Sequence, residues 1–110
     1  MKYRKLLLGK WKITHSYEYI GGEWIFFSHE SIPCTYTFKE RFFVVQGDGF
    51  YEENLEIPYR FHSERNLLQT PENIAFINIL TEDDLEIEES LWVLDYEIER
   101  LRVVFRKVVV

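Results

Sequence analysis

The sequence predicts an all-β protein, an antiparallel up-and-down meander closing into a small barrel of about eight or nine strands. Three observations carry that expectation. Short stretches alternate apolar and polar side chains with a period of two, as strands with one buried face do. Polar or glycine-containing breaks separate them at hairpin spacing, with no sustained 3.6-residue helical period between them. Alanine, the best helix former, occurs once, at Ala75, whereas Val, Ile, Thr and aromatic residues abound.

The first strand is the clearest. Trp11, Ile13, His15, Tyr17 and Tyr19 occupy alternate positions with polar residues between them. Unbroken alternation places these side chains together on the face that looks into the barrel. Gly21-Gly22 supplies the positive φ angles of a tight reversal into residues 24–27. After Pro33, Cys34, Tyr36 and Phe38 share one face, and Glu40-Arg41 turns that strand into residues 42–45. Gly47-Asp48-Gly49 ends the pair. Ile57, Tyr59 and Phe61 alternate with Pro58, Arg60 and His62. Pro58 has no N–H for a ladder, so that strand is an edge or begins there.

Glu64-Arg65-Asn66 reads as a turn and residues 67–70 as a short strand. Residues 74–80 are apolar on nearly both faces, and Thr81-Glu82-Asp83-Asp84 turns them back into residues 85–88. The apolar parity then changes, from Leu85 and Ile87 to Trp92, Leu94 and Tyr96, as a bulge or a break between elements would cause. Leu101, Val103 and Phe105 share a face of the last strand. Residues 1–8 hold at most a short helical turn, and residues 1–110 read as a single domain.

Composition narrows the function classes. With 46% hydrophobic and 17% aromatic residues, the chain has too much apolar content to stay unfolded. A formal net charge of −6 opposes binding to nucleic acid, which needs a clustered basic face, and to anionic membrane surfaces. No apolar run approaches the length of a membrane span. Lys2, Arg4 and Lys5 precede only Leu6-Leu7-Leu8, too short for the apolar stretch of a signal peptide. A cytoplasmic location is the expectation for the sequence as it stands. The lone Cys34 allows no internal disulfide, which fits a reducing compartment.

The run Leu7-Leu8-Gly9-Lys10-Trp11 carries a recognisable motif, Gly-x-Trp at the start of the first strand. In this the chain resembles the bacterial lipocalin-like proteins, small relatives of the calycin barrels. The strand Tyr36-Thr37-Phe38, the paired strands around Thr81-Glu82-Asp83-Asp84-Leu85 and a final strand ending in Phe105-Arg106-Lys107 follow in the same order. The resemblance implies a barrel with a cavity. It also implies that Trp11 packs at the closed end beneath an arginine from near the last strand, by position Arg106 or Arg102. It names no ligand, because function lives in the site and not in the fold.

Several side chains could carry chemistry. His15, Tyr17 and Tyr19, with Tyr36, Phe38, Tyr59 and Phe61 as walls, are the expected lining of a ligand pocket inside the barrel. Against this stands volume, because so many inward rings use up a small lumen. Glu86 and Glu88 share a solvated strand face, whereas Glu89 has the parity of Leu85 and Ile87 and is the one carboxylate of the three that could point inward. His15, His29, His62 and Cys34 show no metal-ligand spacing, so neither metal nor cofactor is expected. Cys34, on a strand rich in Thr, Tyr and Phe, reads as a small buried hydrophobe. No nucleophile motif or phosphate-binding loop is present. The expectation is a non-enzymatic protein binding a small apolar molecule. The alternative is a protein-interaction module, of inhibitor or immunity type, with a filled barrel and an acidic-aromatic surface.

Overall fold

The computed structural model describes residues 2–28, 34–47, 55–71, 73–90 and 98–109. A short helix, α1 (Lys2–Leu7), leads into β1 (Gly9–Ile20), β2 (Glu23–Ser28), β3 (Cys34–Phe38), β4 (Phe42–Gly47) and β5 (Leu55–Pro58). Then come β6 (Arg60–His62), β7 (Leu67–Gln69), β8 (Ile74–Leu80), β9 (Asp84–Ser90) and β10 (Ile98–Lys107). The strands form one antiparallel sheet in the order β5-β4-β3-β1-β10-β9-β8-β7-β6, with β2 paired to the second half of β1 beyond β3. The ends of this path, β5 and β6, are separated only by Tyr59. One stretch of chain therefore pairs with β4 through its first half and with β7 through its second, and the sheet nearly closes on itself. Pro58 sits at the changeover, where its missing donor breaks no ladder. The meander and the barrel-like closure expected from the sequence are both present.

The turns follow from their residues. Gly21 and Gly22, with φ of 58° and 86°, make the two-residue reversal between Ile20 and Glu23. Asn66, with φ of 51°, completes the turn from β6 to β7.

Alternate side chains meet inside. Trp11, Ile13, Phe38, Phe43, Val45, Tyr59, Leu85, Val103 and Phe105 are all buried in one core cluster. Tyr36 stacks on Phe43 with ring centroids 5.2 Å apart and leans against Phe105 at 4.9 Å. Helix α1 lies across one end of the barrel. Leu7 is fully buried, the Trp11 Nε1–H donates to the Leu7 carbonyl at 2.8 Å, and Arg4 donates to the Glu40 carbonyl in the β3–β4 turn. That end is closed.

One departure from the sequence pattern matters most. Ile13 pairs with Phe105 and His15 with Val104, so Thr14 is an extra residue and β1 carries a bulge. The faces exchange beyond it. Ser16 is buried opposite Val103, while Tyr17 stands opposite Arg102 and Tyr19 opposite Arg100. The expectation that His15, Tyr17 and Tyr19 look into the barrel is corrected: they lie on the outer face. There they pack with one another and with β2, Tyr17 at 5.3 Å from His15 and 5.6 Å from Phe26, Tyr19 at 5.2 Å from Trp24. A second register shift, between Ile77 and Ile79, lets Asn78 reach outward to the Glu86 carboxylate at 3.1 Å. The parity change read at Trp92, Leu94 and Tyr96 lies outside the described residues.

Candidate functional site

Rings and branched side chains fill the barrel near α1, but the packing stops short of the other end. A cavity of about 380 Å³ opens between the inner faces of β3, β4, β5, β7, β8 and β9. Tyr36, Phe38 and Phe43 form its floor, and Ile57, Leu68, Ala75 and Ile87 line its sides. Register explains the space. Ala75, the only alanine in the chain, stands on the inner face between Leu68 and Glu89, where a larger side chain would project into the void.

Glu89 is the charged group placed deepest in this lining. On β9, Glu86 and Glu88 project outward, Glu86 to Asn78 and Glu88 to Arg102 at 2.5 Å. Glu89 has the opposite parity and borders the cavity. Its cross-strand neighbours are Leu101 and Ala75, neither of which offers a hydrogen bond from its side chain. Among the described residues nothing donates to its carboxylate, and no lysine, arginine or histidine lines the cavity. Burial pushes the Glu89 carboxyl above the usual carboxylate range, because the charged form loses water. Glu56 borders the same cavity from an exposed position at its lip.

The expected pocket residues therefore divide. Tyr36 and Phe38 line the cavity. Tyr59 is buried, with its hydroxyl donating to the Lys39 carbonyl, and with Phe61 it borders a separate open groove of about 710 Å³ flanked by Arg4, Arg41, Arg60 and His62. His15, Tyr17 and Tyr19 take no part in either. Phe43, Leu68 and Ala75 were missed as lining. The parity of Leu85 and Ile87 had pointed to Glu89.

At the closed end Trp11 is buried, as the resemblance implied, but the cation on its ring is Lys107, with Nζ 4.5 Å from the ring centroid. Arg106 is exposed opposite Lys12, and Arg102 lies over Trp24 at 4.2 Å on the outer face. The assignment of Arg106 or Arg102 to Trp11 is thus corrected by strand parity: Val103, Phe105 and Lys107 share the inner face. Lys107 also donates to the Leu8 carbonyl, and burial lowers its pKa. Gly9 makes room for it. A Cβ there would lie 2.6 Å from Lys107 Nζ, and Gly9 has a φ of 120° that side chains rarely adopt.

Cys34 is half-buried against the core, and burial raises its thiol pKa, which disfavours the reactive thiolate. No group of His, Cys, Asp and Glu among the described residues is arranged to hold a metal ion, and His29 lies outside them. No helix among the described residues is long and apolar enough to cross a membrane. Comparison with protein-family models, curated proteins and solved structures found no match.

Proposed function

We propose that this protein is a non-enzymatic, lipocalin-like binding protein that holds a small, mainly apolar molecule in the open end of its barrel. The observation that carries this reading is the cavity of about 380 Å³, walled by rings and aliphatic side chains beside a core that is otherwise packed. Ligand sites are concave, mostly apolar and furnished with few polar groups, and volumes from about 300 Å³ suffice. The Gly9-x-Trp11 opening at the closed end, with a cation over the ring, supports the family reading as well.

The test is a titration with N-phenyl-1-naphthylamine, a neutral apolar dye that brightens on leaving water. Saturable binding to the native chain, lost in Ala75→Phe, is the expected result. No saturable binding would remove the ligand-carrier reading.

A second reading rests on the outer face. Phe26 is 57% exposed, Ile25 and Phe27 are exposed beside it, and β2 pairs only with β1 among the described strands. Apolar side chains on such an edge suit contact with another protein. If the dye does not bind, and Phe26→Ser abolishes a self-association seen by sedimentation, the interaction-module reading takes over.

A further inference from the structure

We infer that Glu89 selects the ligand, and that the cavity takes small organic cations: a protonated amine carried on a compact apolar body. This inference rests on the cavity reading above and adds to it the identity of the head group.

The argument begins with the two faces of β9. Glu88 and Glu89 are neighbours in sequence, yet Glu88 meets Arg102 and Arg100 on the outer face whereas Glu89 has no cationic partner among the described residues. The Glu89 carboxylate is half-buried in an apolar wall, and among the described residues no side chain donates to it, so a donor on a ligand meets no competing protein group there. The ligand must therefore bring the donor. An ammonium brings both donor and charge, and a charge-assisted bond is roughly twice as strong as a neutral one.

The surroundings favour a cation over a neutral donor. Facing Glu89 are Ala75 from β8 and Leu101 from β10, with Glu18 of β1 beyond Leu101 on the same face. Tyr36 and Phe43, stacked on each other, form the floor, and Glu56 stands at the lip. Among the described residues that line the cavity, the charged groups are Glu89 and Glu56, and a concave wall of one sign focuses potential on its contents. An anionic ligand such as a fatty acid would meet these two carboxyls with no cationic side chain among the described lining residues.

The proposal is tested with three ligands on one skeleton: cyclohexylmethylamine, cyclohexylmethanol and cyclohexanecarboxylate. Their affinities are measured by NMR titration at neutral pH. We expect the ammonium to bind about tenfold or more tightly than the alcohol, as a charge-assisted contact worth some 1.4 kcal/mol would give, and the carboxylate to bind most weakly. In Glu89→Gln the ammonium preference should collapse while the alcohol binds as before. Glu86→Gln, on the outer face of the same strand where it meets Asn78, should leave the preference intact.

A measurement on the unaltered chain guards against a variant that fails to fold. As pH falls through the raised titration range of Glu89, its carboxyl gains a proton while the aliphatic ammonium keeps its charge. The ratio of ammonium to alcohol affinity should fall with it. Equal affinities, a preference for the carboxylate, or a ratio indifferent to both pH and Glu89→Gln would overturn the head-group assignment and leave the cavity standing. Failure of all three ligands to bind would overturn both.

Discussion

At the scale of single residues, the short motif Gly9-x-Trp11 has a physical explanation. Lys107 crosses from the end of β10, donates to the Leu8 carbonyl and rests on the Trp11 ring. A Cβ at residue 9 would push aside the flexible end of Lys107, and the φ of 120° strains any side chain there. Gly9→Ala should cost about 1–3 kcal/mol, the usual cost of a residue held in a sparsely populated backbone region. Trp11→Ala should cost about 3–5 kcal/mol, since it empties a fully enclosed ring site. Urea unfolding measures both. A neutral Gly9→Ala would mean that residue 9 leaves its positive φ without cost and that the backbone there does not need glycine. The choice of cation was legible in the sequence, because Lys107 has the parity of Phe105 and Arg106 does not.

At the scale of elements, β1 decides which rings are structural and which are on display. Its bulge at Thr14 is silent in the sequence, because odd positions carry Ile or rings on both sides of it. Before the bulge those side chains pack into the core. After it they pack against β2, where Trp24 and Phe26 make an apolar outer surface equally suited to rings. Alternation reports that a face is apolar and does not say which side of the sheet it is on. A strand such as β3, whose pattern runs without a bulge, was legible down to the cavity-lining Tyr36 and Phe38. The cavity itself was not, since empty volume depends on which small residue faces which partner across strands distant in sequence. Two variants test the placement. Tyr17→Ala should cost about 0.5–1.5 kcal/mol, the worth of aromatic pairs at a partly open surface. Deleting Thr14 should leave cooperative unfolding in place, because Ile13, His15 and Ser16 would then pair without a bulge with Phe105, Val104 and Val103, and Tyr17 and Tyr19 would keep the outer face. A Tyr17→Ala loss as large as that of Trp11→Ala would place Tyr17 in the core and contradict the bulge.

At the scale of the whole molecule, the barrel is uneven in a way that stability alone does not account for. The end under α1 is packed with rings, whereas the other end keeps about 380 Å³ unfilled and sets the Glu89 carboxylate in its wall. Both features oppose folding. Unfilled space forfeits dispersion contacts, and an ionised carboxylate taken out of water without a donor carries a desolvation cost. Filling voids and removing such groups commonly stabilises natural proteins by about 0.5–2 kcal/mol each, and the usual loss is function. Ala75→Phe combined with Glu89→Gln should therefore raise the urea midpoint above that of the native chain at neutral pH, while abolishing binding of both the naphthylamine dye and the cyclohexyl ammonium. The direction of the pH effect follows from linkage. Because burial raises the Glu89 pKa in the folded state, the fold binds more protons than the unfolded chain through that range, and stability contributed by this group falls as pH rises. The advantage of the double variant should accordingly shrink as the solution is acidified and Glu89 becomes neutral on its own. Had the space been closed in solution, the added ring would overpack the core and cost about 1–3 kcal/mol. A double variant less stable than the native chain at every pH would show just that, and the energetic case for a built site would fail.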